Sequence, residues 1–193
     1  CQNHMTMYDG SNEEAVLTLS DPRGDGQTYQ VAKLADENCW MLTNLKLGST
    51  TGTTLLTSAD SNVDSDFTLP QVVTTGIASY DNPGVYGPVT GDTGDGATNY
   101  GYLYNWSATT AGESRTTMPA GSGNALYSIC PANWRLPTGG ASGEFSALYT
   151  ALGNDQTKWN YPGPFKVTFA GSWWGGFGDQ GDSGSLWSSS AHP

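Results

Sequence analysis

Aromatic side chains set among glycines, and carboxylates set in polar loops, are the residues of this sequence best suited to chemistry. Trp173, Trp174 and Phe177 lie in Gly171-Ser172-Trp173-Trp174-Gly175-Gly176-Phe177-Gly178. Aromatic faces flanked by small residues can stack on a sugar ring or enter a partner's pocket, so these three are the candidate ligand-binding residues. Side chains alternate sides along extended backbone, so Trp173 and Trp174 cannot both point inward, and one of them is expected to be exposed. Trp173 and Trp187 are expected in the core. The carboxylates suggest a hard cation. Asp60, Asp64 and Asp66, the run Gly91-Asp92-Thr93-Gly94-Asp95-Gly96, and Asp179 with Asp182 are oxygen-rich loop clusters. Asp92 and Asp95 are the candidate calcium ligands, although none of these clusters has EF-hand spacing and solvated Asx-turns are the plainer reading. No cofactor is required by any motif.

Other chemistries fit less well. A zinc site needs about four nitrogen or sulfur ligands in one neighbourhood, whereas His4 and His192 sit in opposite terminal segments. Neither histidine lies in a structured block and no Gly-x-Ser-x-Gly elbow occurs, which argues against a serine hydrolase. Glu13, Glu14, Glu37, Glu113 and Glu144 supply carboxylates, yet no pair stands out for glycoside hydrolysis. The sequence therefore reads as non-catalytic. Its three cysteines, Cys1, Cys39 and Cys130, are an odd count, so at least one thiol stays unpaired or pairs beyond the chain. Cys1 has two readings: the lipid-modified first residue of a bacterial lipoprotein, or a disulfide cysteine in a chain preceded by a stalk. The second is preferred.

Composition narrows the class. Only 13% of the 193 residues are charged, with 18 acidic against 7 basic and a net charge of −11. That surface repels phosphate backbones and anionic headgroups, which argues against nucleic-acid binding. No run of 18 apolar residues is present to span a membrane. Seven Trp, ten Tyr and five Phe are more aromatic surface than a disordered polar chain carries. Scarce Lys with abundant Gly, Thr and Ser is the pattern of extracellular proteins rich in strands and loops.

The elements that would position these residues are short. Residues 16–20 alternate as a strand, and Asp21-Pro22-Arg23-Gly24-Asp25-Gly26 is a dense turn signal. Residues 28–34 alternate again, Asp36-Glu37-Asn38 can turn, and residues 39–45 form a return strand too apolar to be solvated. Residues 48–99 read as long irregular loops with scattered apolar residues such as Leu55, Leu56, Phe67 and Val72. Residues 100–106 fit a strand or short helix, and residues 165–170 a strand. The clearest helix follows Cys130-Pro131-Ala132-Asn133-Trp134-Arg135-Leu136-Pro137-Thr138. There Phe145, Leu148, Tyr149 and Leu152 form an apolar stripe at i, i+3, i+4 and i+7. Ser142 is the expected N-cap, Glu144 suits the positive helix end, Gly153 ends the helix, and Trp134 and Phe145 are assigned to the core. One domain, with residues 1–15 as an N-terminal extension, accommodates all of this.

Five blocks in order carry a resemblance: Asn38-Cys39-Trp40-Met41-Leu42-Thr43-Asn44-Leu45, Tyr100-Gly101-Tyr102-Leu103-Tyr104-Asn105-Trp106, residues 129–138 with their helix, Trp159-Asn160, and Leu186-Trp187-Ser188-Ser189-Ser190. With them the chain resembles the domain family described as the Fibrobacter succinogenes major paralogous domain, found in bacterial surface proteins. The resemblance implies an α+β, C-type-lectin-like fold, distantly related to formylglycine-generating enzyme domains, in which short antiparallel strands and one or two helices support long variable loops. Formylglycine-generating activity uses a reactive cysteine pair late in that domain, and residues 171–193 contain no cysteine. The family pattern continues through two more strands to an Arg-Cys-Val motif. The resemblance thus implies a natural chain extending past Pro193, with a further cysteine that pairs with Cys39 or Cys130. Without one, Cys1 could pair with either.

Two functions are expected on these grounds. The first is an extracellular recognition or adhesion module that binds a glycan, or a protein on a host or neighbouring cell, through its loops. The second is a structural subunit that self-assembles into a surface filament or pilus.

Overall fold

Alternation is strongest in the first half of the chain, and there it produces a three-stranded antiparallel sheet. The computed structural model describes residues 5–23, 26–76, 82–89, 101–113 and 123–191. Strands β1 (Leu17–Ser20), β2 (Thr28–Lys33) and β3 (Cys39–Met41) pair in the order β1-β2-β3, with Leu17 opposite Val31 and Ala32 opposite Trp40. Glu37, with φ of 65°, makes the turn into β3. The turn after β1 is pinned by charge: both Asp21 carboxylate oxygens accept from the Arg23 guanidinium, at 2.7 and 2.6 Å, and Arg23 also donates to the Ile129 carbonyl at 2.7 Å. Strand β1 is an edge, and all four of its residues are exposed.

The remaining strands pair locally: β4 (Thr54–Leu56) with β5 (Phe67–Leu69), β6 (Val85–Tyr86) with β7 (Leu103–Tyr104), and β8 (Ser172–Trp173) with β9 (Phe177–Gly178), all antiparallel. Helices α1 (Trp106–Thr109), α2 (Glu144–Ala151) and α3 (Gln156–Trp159) complete a mixed α+β chain. Among the described residues no helix is long and apolar enough to cross a membrane.

Two large apolar clusters, and a small third of Val89 and Ala170, hold these pieces. In the first, the stripe residues Leu148 and Leu152 join Leu34, Trp40, Leu42, Phe165 and Val167. Trp40 stacks on Phe145 at 5.6 Å and meets the edge of Phe165 at 5.2 Å, while Phe145 and Trp159 pack against the same cluster. The second cluster, Leu47, Leu56, Val63, Leu69, Val72, Val85, Ala108 and Ile129, corrects the reading of residues 48–99 as irregular loops within 48–76 and 82–89, while the rest of that stretch lies outside the described residues. Leu56 is fully buried while its neighbour Leu55 is exposed, as strand alternation requires. Tyr104 ties the second cluster to the chain that leaves β3. Its hydroxyl accepts from the Leu47 amide at 2.9 Å, and it also lies within hydrogen-bond reach of the Leu45 and Leu47 carbonyls.

Helix α2 begins one residue later than expected. Ser142 does not cap it: the N-cap position is Gly143, and the cap is supplied from outside the helix. The Thr138 hydroxyl accepts from the Glu144 amide at 2.9 Å, and the Glu144 carboxylate accepts from the Thr138 amide at 2.9 Å. This reciprocal pair does the work of a capping box across a longer spacing. Gly153, at φ 83°, ends the helix in the left-handed region as expected. The expected strand at residues 165–170 is corrected too. Burial does alternate, with Phe165 and Val167 inside, but Lys166 takes φ of 56° and only Val167 bridges a neighbour, Asn160. A left-handed residue interrupts the extended backbone that a ladder needs.

Candidate aromatic cleft

The chain leaving β3, the segment containing β7, the 130–138 link and the β8–β9 hairpin surround a cleft of about 1070 Å³. Its lining includes six tryptophans: Trp40, Trp106, Trp134, Trp173, Trp174 and Trp187. It also gathers much of the apolar surface that the protein leaves in solvent. Leu17, Leu19, Trp174, Leu186 and Trp187 are all exposed and all border it. An apolar concentration of this kind marks a binding surface more often than a chance distribution of surface residues.

The hairpin that carries the predicted aromatics is fixed by glycine and by ring packing. A Cβ on Gly171 would stand 2.2 Å from the Gly178 carbonyl oxygen, so the two hairpin arms approach this closely only with glycine there. Trp173 stacks on Tyr86 at 5.6 Å, receives Phe177 edge-on at 4.8 Å, and donates its indole N–H to the Gly76 carbonyl at 2.7 Å. Trp174 follows at the tip and is 69% exposed. The expectation that one of the pair faces solvent holds, and it is Trp174. Phe177 is half-buried against Trp173 and the Val89–Ala170 cluster, so it serves the hairpin's packing.

Three assignments to the core are corrected, beginning with Trp173, which is half-buried in the hairpin packing and belongs to none of the apolar clusters. Trp187 is 46% exposed, anchored by its indole N–H to the Tyr104 carbonyl at 2.6 Å, with its ring left on the cleft wall. Trp134 is half-buried, lies outside the three apolar clusters, and also lines the cleft. The signal that could have flagged it is its setting between Asn133 and Arg135, both exposed. Arg135 itself makes a bidentate pair with Glu144 at 2.7 and 2.5 Å. The Arg135 hydrogen bonds hold the Glu144 carboxyl below the usual carboxylate range, so this part of the wall carries a neutralised pair.

The remaining predicted site residues do not converge on the cleft. Asp60 is occupied by its own turn, accepting from the Thr57 amide and hydroxyl and from the Ser61 hydroxyl. Burial alone would raise its pKa, but these bonds outweigh it and hold the carboxyl below the ordinary value. Asp64 accepts from the Tyr127 hydroxyl, and Asp179 from the Ser172 hydroxyl. Among the described residues no three metal-ligating side chains come together. Asp92, Asp95, Cys1, His4 and His192 lie outside the described residues. Cys39 is disulfide-bonded, whereas Cys130 is a free thiol. Burial pushes the Cys130 thiol up, which keeps it protonated and weakly nucleophilic.

What fold and site define together is an α+β chain with an open, tryptophan-lined cleft. In comparison with known proteins the chain matches no family model, no curated protein and no solved structure.

Proposed function

We propose that this chain is an extracellular, non-catalytic recognition and adhesion module of a bacterial cell-surface protein, built on a C-type-lectin-like scaffold and binding a glycan or a surface protein of another cell. The observation that carries this reading is the gathering of exposed aromatic and aliphatic side chains, Trp174 foremost, around one cleft. Two further facts support it. Four of the five blocks that carry the family resemblance supply residues to the cleft wall, which is how a shared scaffold built around one binding surface would look. A disulfide at Cys39 suits an oxidising compartment outside the cell. The recognition surface moves, in this reading, from the loops of residues 48–99 to the cleft and the Trp174 tip. Labelled protein should adhere to cells or to immobilised glycans, and Trp174→Ala should raise the Kd at least roughly tenfold, a typical loss for a central aromatic anchor. Adhesion that is unchanged by this substitution would sink the reading.

One observation favours the second function, a filament or pilus subunit. Strand β1 has β2 on one side and, among the described residues, no strand on the other, and it exposes Leu17 and Leu19. Such an edge is a template for a strand from a second copy. Electron micrographs of the purified protein should then show polymers that Leu19→Lys abolishes. A strictly monomeric protein at high concentration would count against assembly.

A further inference from the structure

We infer that the cleft takes an uncharged oligosaccharide, with the rings of Trp134 and Trp174 as its two stacking positions; this inference rests on the cleft being the recognition surface. The indole N–H groups sort the six tryptophans. Trp40 donates to the Asp36 carboxylate, Trp106 to the Ser188 carbonyl, Trp173 to the Gly76 carbonyl and Trp187 to the Tyr104 carbonyl. These four rings are scaffold, each oriented by a bond within the protein. Among the described residues Trp134 and Trp174 have no such bond, and each presents an unengaged N–H together with accessible ring surface. A sugar ring is matched to that combination: its C–H face lies on the indole, and a hydroxyl accepts from the N–H.

Charge selects the kind of sugar. Three charged residues line the cleft, and each is already neutralised. Arg135 and Glu144 satisfy one another bidentately. Lys166 reaches Glu13 at 3.6 Å and lies over the Tyr8 ring at 5.1 Å. Among the described residues an anionic glycan would find no free cation on this wall, and it would also approach a chain of net charge −11. A peptide strand is a poorer occupant of this part of the cleft. Its backbone groups need a strand edge, whereas Trp134 sits on the 130–138 link and Trp174 at a hairpin tip. The cleft, at about 1070 Å³, reaches the top of the range for ligand sites, roughly 300–1,000 Å³, and so has room for several linked sugar rings.

Calorimetric titration of the full chain with cellohexaose, mannohexaose, chitohexaose and hexagalacturonate tests this. At least one of the three neutral hexasaccharides should bind and hexagalacturonate should not. Trp134→Ala and Trp174→Ala should each weaken the neutral sugar roughly fivefold or more, with Trp174→Phe retaining most of the affinity. Thermal melts of the same variants establish that they remain folded. Preference for hexagalacturonate, or neutral binding indifferent to both alanine variants, overturns the inference. If none of the neutral hexasaccharides binds while the protein still adheres to cells through Trp174, this inference falls and the recognition function stands. Absence of adhesion as well removes both.

Discussion

Replacing Arg23 with alanine is expected to destabilise the protein by about 3–5 kcal/mol, because it strands a buried carboxylate. The side chains of Arg23 and Asp21 are only 4% and 0% exposed, and their contact is 2.6 Å. Arg23 also holds the Ile129 carbonyl, so its loss detaches the turn after β1 from a residue of the second apolar cluster. For a chain of 193 residues this corresponds to a fall in Tm of roughly 6–20 °C, read by calorimetry or circular dichroism. Arg23→Lys should recover only part of it, since an ammonium cannot serve both carboxylate oxygens and the carbonyl in one plane. The double variant Asp21→Leu/Arg23→Met should be more stable than Arg23→Ala. It removes both charges together, leaving the Ile129 carbonyl without its donor and the amide at position 23 without its acceptor, which costs less than a stranded carboxylate. If Arg23→Ala melts within a degree of the unmodified chain, the pair does not hold this turn.

The same pair sets a pH dependence whose sign is fixed. Burial by itself would raise the Asp21 pKa, but the side-chain and backbone hydrogen bonds from Arg23 outweigh it and hold the folded value below the ordinary one. A carboxyl with a depressed folded pKa contributes stability that is present above its unfolded value, about pH 4, and is lost as pH falls through the folded value. Glu144, depressed chiefly by Arg135, acts in the same direction, although its contribution is smaller because Arg135 is 61% exposed. Melting temperature should therefore fall below about pH 4 in the unmodified chain. In Asp21→Leu/Arg23→Met that acid slope should be shallower.

How much of this was readable in advance depended on the length of each repeat. Strand β2 and helix α2 each extend over enough residues for their period to show, so their faces, the turn at Glu37 and the stop at Gly153 follow from pattern alone, whereas the alternation of β1 marks no buried face because all four of its residues are exposed. The second apolar cluster was hidden because its strands are two or three residues long. Leu56 and Leu69 each stand inward once, among Thr and Ser, and one inward residue has no period. The helix cap was hidden for a different reason. Thr138 reaches Glu144 across six positions, beyond any local capping pattern. Alternation along extended backbone narrowed the exposed ring to Trp173 or Trp174 and left the choice to the hairpin's packing. Composition and spacing could not separate Trp134 and Trp187 from the core, since a large apolar side chain beside an open cleft has the same sequence signature as one inside a closed core.

Trp40 and Trp174 allow scaffold and recognition to be separated by experiment, because both line the cleft yet differ in what holds them. Trp40 is 7% exposed, packs on Phe145 and Phe165, and donates to both Asp36 oxygens at 3.0 Å. Trp40→Ala should cost about 3–5 kcal/mol, because the cavity it opens lies between β3 and α2 and cannot close without moving one of them. Trp40→Phe keeps a ring against Phe145, forgoes the indole bond and leaves the smaller space of the missing ring, while Asp36 retains donors from the Asn38 amide and side chain. That variant should therefore lose about 1–2 kcal/mol. Trp174→Ala removes a side chain that is 69% exposed and has no bond to the scaffold, so its effect on stability should stay within about 0.5 kcal/mol. Denaturant titration of the three variants, run beside the adhesion measurement, should thus show stability lost at Trp40 and binding lost at Trp174. A large stability loss at Trp174 would make that ring part of the scaffold and leave the cleft without its principal recognition residue.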